Sequence, residues 1–156
     1  MLDAGPIIHL DELDRLELLA QMGELFIPQT VATEAEKHRA GVIDRLGVEP
    51  VPDVESRSTQ VLETGSQSGL HAGEIAALAW ASVFGADLFI SDDAAARRVS
   101  DNLGYRSIGS LGVITAAVDE GRMARNEAIV LLQSIPTQST LHVRRSFLEK
   151  VIATLR

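Results

Sequence analysis

Five acidic residues stand where short apolar runs give way to helical sequence. Asp3 opens Asp3-Ala4-Gly5-Pro6, and Glu34 lies about one turn into the helix that follows Leu25-Phe26-Ile27-Pro28. Glu74 starts an Ala-rich helix after His71-Ala72-Gly73, and Asp92 and Asp93 end the run Leu88-Phe89-Ile90-Ser91. Carboxylates brought together raise one another's pKa unless a cation neutralises them. The cations suited to an all-oxygen set are Mg²⁺ and Mn²⁺, which take carboxylates and keep several waters. Such a centre activates water and stabilises the charge that develops in a phosphodiester displacement. Taken singly, each acid has a plainer use. Asp3, Asp92 and Asp93 can cap helices, and a helix dipole favours first-turn acids such as Glu34 and Glu74 by only ~0.3–1 kcal/mol. The adjacent pair Asp92-Asp93 at the end of an apolar strand is the hardest to read as caps alone.

To share one site these acids need strands of three to five residues alternating with helices. Ile8, Leu13, Leu16, Leu19 and Ala20 recur at helical spacing and predict one helix from Ile7 to Met22, stopped by Gly23. Leu25–Ile27 reads as a buried strand, Thr30 to Gly41 as a helix and Val48–Val54 as a strand interrupted by Pro50 and Pro52. Asp53 to Gly69, rich in Ser, Thr, Gln, Glu and Gly, reads as a loop with a helical turn near Thr59–Glu63. Beyond it the pattern gives a helix Glu74–Phe84, a strand Ala86–Ser91, a helix Ala94–Leu103, a strand Tyr105–Ile108 and helices Leu111–Glu120 and Asn126–Gln133. An extended piece at Leu141–Val143 and a helix Arg144–Leu155 follow. This alternation predicts an α/β fold, a three-layer α/β/α sandwich on a mainly parallel sheet. Ligands bind outside the carboxyl ends of such strands, the rim where these acids fall.

The 156 residues suit a single domain, with a core over 1–112 and a helical extension over 113–156. Fourteen Lys+Arg against 22 Asp+Glu leave a net charge of −8, which argues against coating nucleic acid through bulk charge. Local contact through metal ions and a few basic side chains stays open. With no cysteine, zinc-thiolate, iron–sulfur and disulfide chemistry are excluded. Walker A, Gly-x-Gly-x-x-Gly and Gly-x-Ser-x-Gly patterns are all missing. No signal peptide or apolar run long enough for a membrane span is visible, so a cytoplasmic protein is expected. The basic clusters Lys37-His38-Arg39 and Arg97-Arg98 read as solvated helix faces before RNA contacts, Arg97 being nearer the acids. His9 reads as a surface or packing residue, His71 as structural or substrate-facing, and Trp80, Phe84 and Phe89 as core.

Four segments resemble the PIN domain family. Asp3-Ala4-Gly5-Pro6-Ile7-Ile8 is similar to its opening element, and Ile27-Pro28-Gln29-Thr30-Val31-Ala32-Thr33-Glu34 to its second. Gly73-Glu74-Ile75-Ala76-Ala77-Leu78-Ala79 resembles the third acidic element, and Ser91-Asp92-Asp93-Ala94-Ala95-Ala96-Arg97-Arg98 the fourth. The likeness runs from Asp3 to about Gly112 and extends into Leu111-Gly112-Val113-Ile114. It implies a divalent-metal-dependent ribonuclease, such as many small prokaryotic members that act as the toxin of a toxin–antitoxin pair and form homodimers. By resemblance Asp3, Glu74 and either Asp92 or Asp93 would hold Mg²⁺ or Mn²⁺, with Glu34 completing the pocket. Ser91 would orient a ligand or bound water, and the partners would be RNA and an antitoxin protein, with no membrane; apart from the resemblance, Arg97 is the candidate RNA contact of the two basic clusters. Only Met1-Leu2 precedes Asp3 where the family has a full first strand, so either that strand is a stub or the natural start lies upstream. A PIN-like fold that binds a partner without cutting is the other reading.

Overall fold

The computed structural model describes residues 1–54 and 69–156. In chain order its helices are α1 (Ala4–Glu12), α2 (Glu17–Ala20), α3 (Gln29–His38), α4 (Val42–Leu46) and α5 (Ala72–Phe84). After these come α6 (Ala94–Asn102), α7 (Ser110–Asp119), α8 (Arg125–Gln138) and α9 (Arg145–Thr154). Strands β1 (Leu88–Ile90) and β2 (Arg106–Ile108) pair in parallel, Leu88 with Arg106 and Ile90 with Ile108. The fold is α/β, with helix predominating.

Beyond β1 the parallel arrangement continues through shorter segments. Asp3 N–H donates to the Ile90 carbonyl at 3.0 Å and Ile90 N–H to the Met1 carbonyl at 2.9 Å. On the other side Leu2 N–H donates to Phe26 at 3.0 Å, and Val51 N–H to Ile27 at 2.8 Å. Parallel bridges at Leu2–Ile90 and Pro28–Val51 mark the same row. The order across it is therefore Val51, Phe26–Pro28, Met1–Asp3, β1, β2. The outer segments stay short because Pro28, Pro50 and Pro52 have no N–H to donate to a ladder. Met1-Leu2 is a stub, yet it is bonded on both sides, and Leu2 is fully buried. Among the described residues the ladder is two strands wide, narrower than the sheet read from the sequence.

Sequence and structure differ at several boundaries. The helix expected over Ile7–Met22 is two helices, because Asp14 takes a left-handed φ of 54° and turns the chain between α1 and α2. The helix after Ile27 ends at His38, and α4 follows between Gly41 and Gly47, both left-handed. Residues 141–143 form no strand, and α8 runs through Pro136 to Gln138. Pro136 sits in the last turn, where it removes one hydrogen bond without breaking the helix body. The turn expected at Thr59–Glu63 lies outside the described residues.

Around the row, Leu2, Ile27, Phe89 and Ile90 pack with Ile7 and Leu10 of α1, Val31 of α3, Leu78 of α5, Ile114 of α7 and Leu132 of α8, all fully buried. Phe26 and Trp80 stack at 4.7 Å, and Trp80 meets Phe84 at 4.5 Å. Phe84, expected in the core, is 61 % exposed, because the last turn of α5 runs out past Trp80. Among the described residues no helix is long and apolar enough to cross a membrane.

Candidate active site

Asp3 is the point where sheet row, helix and site meet. Its N–H extends the row to Ile90, while its side chain caps α1 by accepting from Ala4 N–H at 2.8 Å through Oδ1. Oδ2 accepts from the Ser91 hydroxyl at 2.7 Å, and the residue is only 5 % exposed. Burial pushes the Asp3 carboxyl up to about 7. The bonds from Ser91 and Ala4 pull it down, and the charges of Glu74 and Glu34 push it further up. Among the described residues, Asp3 is thus a buried acid whose charged neighbours are other acids.

Those neighbours come from two helices. Glu74 lies in the first turn of α5, half-buried, and accepts from the His71 N–H through Oε2. Burial is the main cause that raises its carboxyl, opposed by the His71 N–H and reinforced by the charges of Asp93 and Glu34. Glu34 reaches from α3 to α5 and lies against Gly73, where a Cβ would stand 2.5 Å from Glu34 Oε2. A glycine at 73 is what lets this carboxylate come so close to the α5 backbone.

Ser91 and Asp93 complete the row. The fully buried Ser91 hydroxyl donates to Asp3 and accepts from Asp93 N–H at 3.2 Å, tying the end of β1 to both acids. Asp93 caps α6 by accepting from Ala96 N–H at 2.7 Å through Oδ1. Among the described residues Asp93 Oδ2, Glu74 Oε1 and both Glu34 oxygens accept no hydrogen bond.

Asp92, the alternative to Asp93, points elsewhere. Its Oδ1 accepts from Ser110 N–H at 2.7 Å, and its Oδ2 from the Ser110 hydroxyl at 2.6 Å and from His9 Nδ1 at 2.7 Å. This carboxylate binds α1 and α7 to the end of β1. A Cβ at Gly109 would stand 2.7 Å from Asp92 Oδ1, so the brace also needs that glycine. Sequence reasoning missed the brace, because His9 and Ser110 lie 83 and 18 residues from Asp92. Arg97 folds back to donate to the Ser91 carbonyl at 2.7 Å, half-buried, and supports the strand end.

A family model described as a PIN domain matches residues 1–156. The chain belongs to the PIN domain family. Among curated proteins and among solved structures nothing matches it. PIN domains are commonly nucleases, and they typically use divalent metals. In this PIN domain the donor chemistry fits such an ion: Asp3, Glu34, Glu74 and Asp93 offer hard carboxylate oxygens, and the burial and mutual repulsion that raise Asp3 and Glu74 are what a cation relieves. Among the described residues no three such side chains are drawn together closely enough to hold an ion as they stand. The side chains with an oxygen to turn inward are Asp93, Glu74 and Glu34.

Proposed function

We propose that the chain is a Mg²⁺- or Mn²⁺-dependent endoribonuclease that hydrolyses RNA phosphodiester bonds. The observation that carries this reading is Asp3: a buried carboxylate at the carboxyl end of the sheet row, raised to about 7 by burial and facing Glu74 and Glu34, with no compensating cation among the described residues. A purely structural aspartate at that depth would gain from an arginine or lysine beside it.

In this reading Asp3, Glu74 and Asp93 hold the ion and Glu34 completes the pocket. The ion, when bound, supplies an activated water and charge stabilisation at the phosphate. Ser91 fixes Asp3 through its hydroxyl and Asp93 through that residue's N–H, and so holds two of the ligands at one spacing. Asp92 orients the frame and is no ligand, because its oxygens serve His9 and Ser110. The five-segment row is the reduced central sheet of a three-layer sandwich. The protein works as the toxin of a toxin–antitoxin pair, as a homodimer in the cytoplasm, restrained by an antitoxin that presents basic or apolar side chains to this acidic chain.

The spread of the carboxylates favours a second reading, a PIN fold that binds a partner and cuts nothing. Incubating single-stranded RNA with the protein in Mn²⁺, and with the Asp3→Asn, Asp93→Asn variant, separates the two. Cleavage by the wild type that chelator and variant both abolish is expected. Intact RNA at every metal concentration would leave the partner-binding reading in its place.

A further inference from the structure

The sequence places Lys37, His38 and Arg39 together, and the structure divides them between two faces. Arg39 turns to Asp11, its Nε donating to Oδ2 at 2.5 Å, and His38 lines a groove on that same side. Lys37 lies on the other side, between a groove that it lines with Glu36 and Asp44 and a cleft of about 380 Å³ between α3 and the start of α5, which it lines with Glu34, Gln29, His71 and Ala72. The cleft therefore reaches the acidic row at Glu34.

Its walls are unequal in what they have left to offer. Asp53 keeps its charge but is held against the start of α3, accepting Thr30 N–H at 3.1 Å and the Thr30 hydroxyl at 2.6 Å. The Thr33 hydroxyl donates to the Gln29 carbonyl at 2.8 Å. Lys37 is exposed, and among the described residues its ammonium makes no ion pair or hydrogen bond. It sits three residues after Glu34 on α3, so the two side chains are neighbours about 5–6 Å apart at Cβ on one helix face. That spacing puts one ammonium within a helical step of Glu34, the residue through which the cleft meets the acidic row.

We propose that this cleft is a subsite for the RNA strand beside the cleavage point, with Lys37 binding the phosphate next to the scissile one. The inference rests on the ribonuclease reading of the acidic row and adds the path by which a chain of net charge −8 holds a polyanion. A single lysine contributes one phosphate contact, which releases counterions and so appears in the salt dependence of binding.

The test is equilibrium binding of a fluorescent single-stranded RNA oligonucleotide in chelator, where nothing is cut, with parallel cleavage kinetics in Mn²⁺. The full chain is compared with Lys37→Ala, Lys37→Arg and, as a control on exposed α9, Lys150→Ala. Lys37→Ala is expected to weaken binding roughly 5-fold and to lower the slope of log affinity against log salt by about 0.7, with KM raised by a similar factor. Lys37→Arg should restore most of the slope, and Lys150→Ala should match the wild type. Wild-type affinity and slope in Lys37→Ala would overturn the subsite, even while cleavage by the wild type upheld the nuclease. RNA binding with a Lys37-dependent slope but no cleavage would uphold the subsite and overturn the nuclease. A wild type that neither binds nor cuts RNA would overturn both.

Discussion

Helix α1 has a buried aspartate near each end, and their surroundings are opposites. Asp11, near its carboxyl end, has an 8 % exposed side chain and takes both Arg39 and Arg45, with Arg45 donating through Nε at 3.0 Å and its terminal amine at 2.9 Å. The three side chains clamp α1 to α3 and α4 beside a groove of about 770 Å³. Asp3, at the amino end, is no more exposed, but it has a hydroxyl and an N–H for partners and carboxylates for charged neighbours. Folding alone would favour the first arrangement, since a buried charge costs several kcal/mol unless paired. A buried acid with no cation beside it among the described residues, and with Glu74 and Glu34 as charged neighbours, is what a cation-binding site requires before the cation arrives. The wider groove lies at the compensated end, so groove size is a poor guide to the chemistry of this molecule.

The comparison breaks most sharply in activity. Neutralising the Asp3 end with Asp93→Asn should lower metal-dependent cleavage by at least ~10²-fold, while Arg39→Ala at the other end leaves the rate at wild-type level. Single-turnover cleavage rates check this, and equal losses in both variants would erase the distinction between the two ends.

Stability should respond to pH at one end only. Below its ordinary value of 3.8 the Asp3 carboxyl is protonated whether folded or not, and its burial costs little. Between 3.8 and about 7 the folded protein keeps a proton that the unfolded chain releases, so stability falls as pH rises through that window. Asp3→Asn keeps a side chain that can accept from Ala4 and bond Ser91 without the charge. Measured without divalent metal, the variant should gain up to roughly 4 kcal/mol over wild type at about pH 8 and almost nothing below about pH 4. Urea unfolding at the two pH values reads this directly, and a gain of equal size at both would remove Asp3 ionisation as its cause.

At the other end, Asp11→Ala should cost about 1–2 kcal/mol by loss of charged hydrogen bonds, because both arginines are nearly half exposed and recover water. Its thermal unfolding midpoint should fall while the cleavage rate of the folded fraction holds. The smallest stability change belongs to Gly73→Ala. The new Cβ displaces the flexible end of Glu34, and alanine favours the helix, so stability should stay within about 1 kcal/mol of wild type while cleavage declines. Unaltered cleavage would show that Glu34 need not lie against α5.

Much of this contrast was legible in the residues. The strand-end rule drew Asp3, Glu34, Glu74 and the Asp92-Asp93 pair to one rim, because each follows an apolar run or opens a helix. Asp92 and Asp93 could not be told apart that way, since both are good caps, and the structure separates them through contacts distant in sequence. His9 and Ser110 take Asp92, and Ala96 and Ser91 take Asp93. The break between α1 and α2 was hidden because the apolar spacing from Ile8 to Leu19 runs unbroken across a single left-handed residue, Asp14. The sheet was overestimated for a different reason. Apolar runs at Leu25–Ile27 and Val48–Val54 have strand character, but among the described residues the prolines around them limit their pairing to the single bridge Pro28–Val51. The basic triplet Lys37-His38-Arg39 looked uniform, and only the fold distributes it between two faces.

Calorimetric titration of Mn²⁺ into the wild type and into the Asp3→Asn, Asp93→Asn variant tests the acidic row most directly. Saturable binding to the wild type that vanishes in the variant is the predicted result. Heats that are absent in both proteins, or saturate equally in both, would contradict a metal site built on these carboxylates.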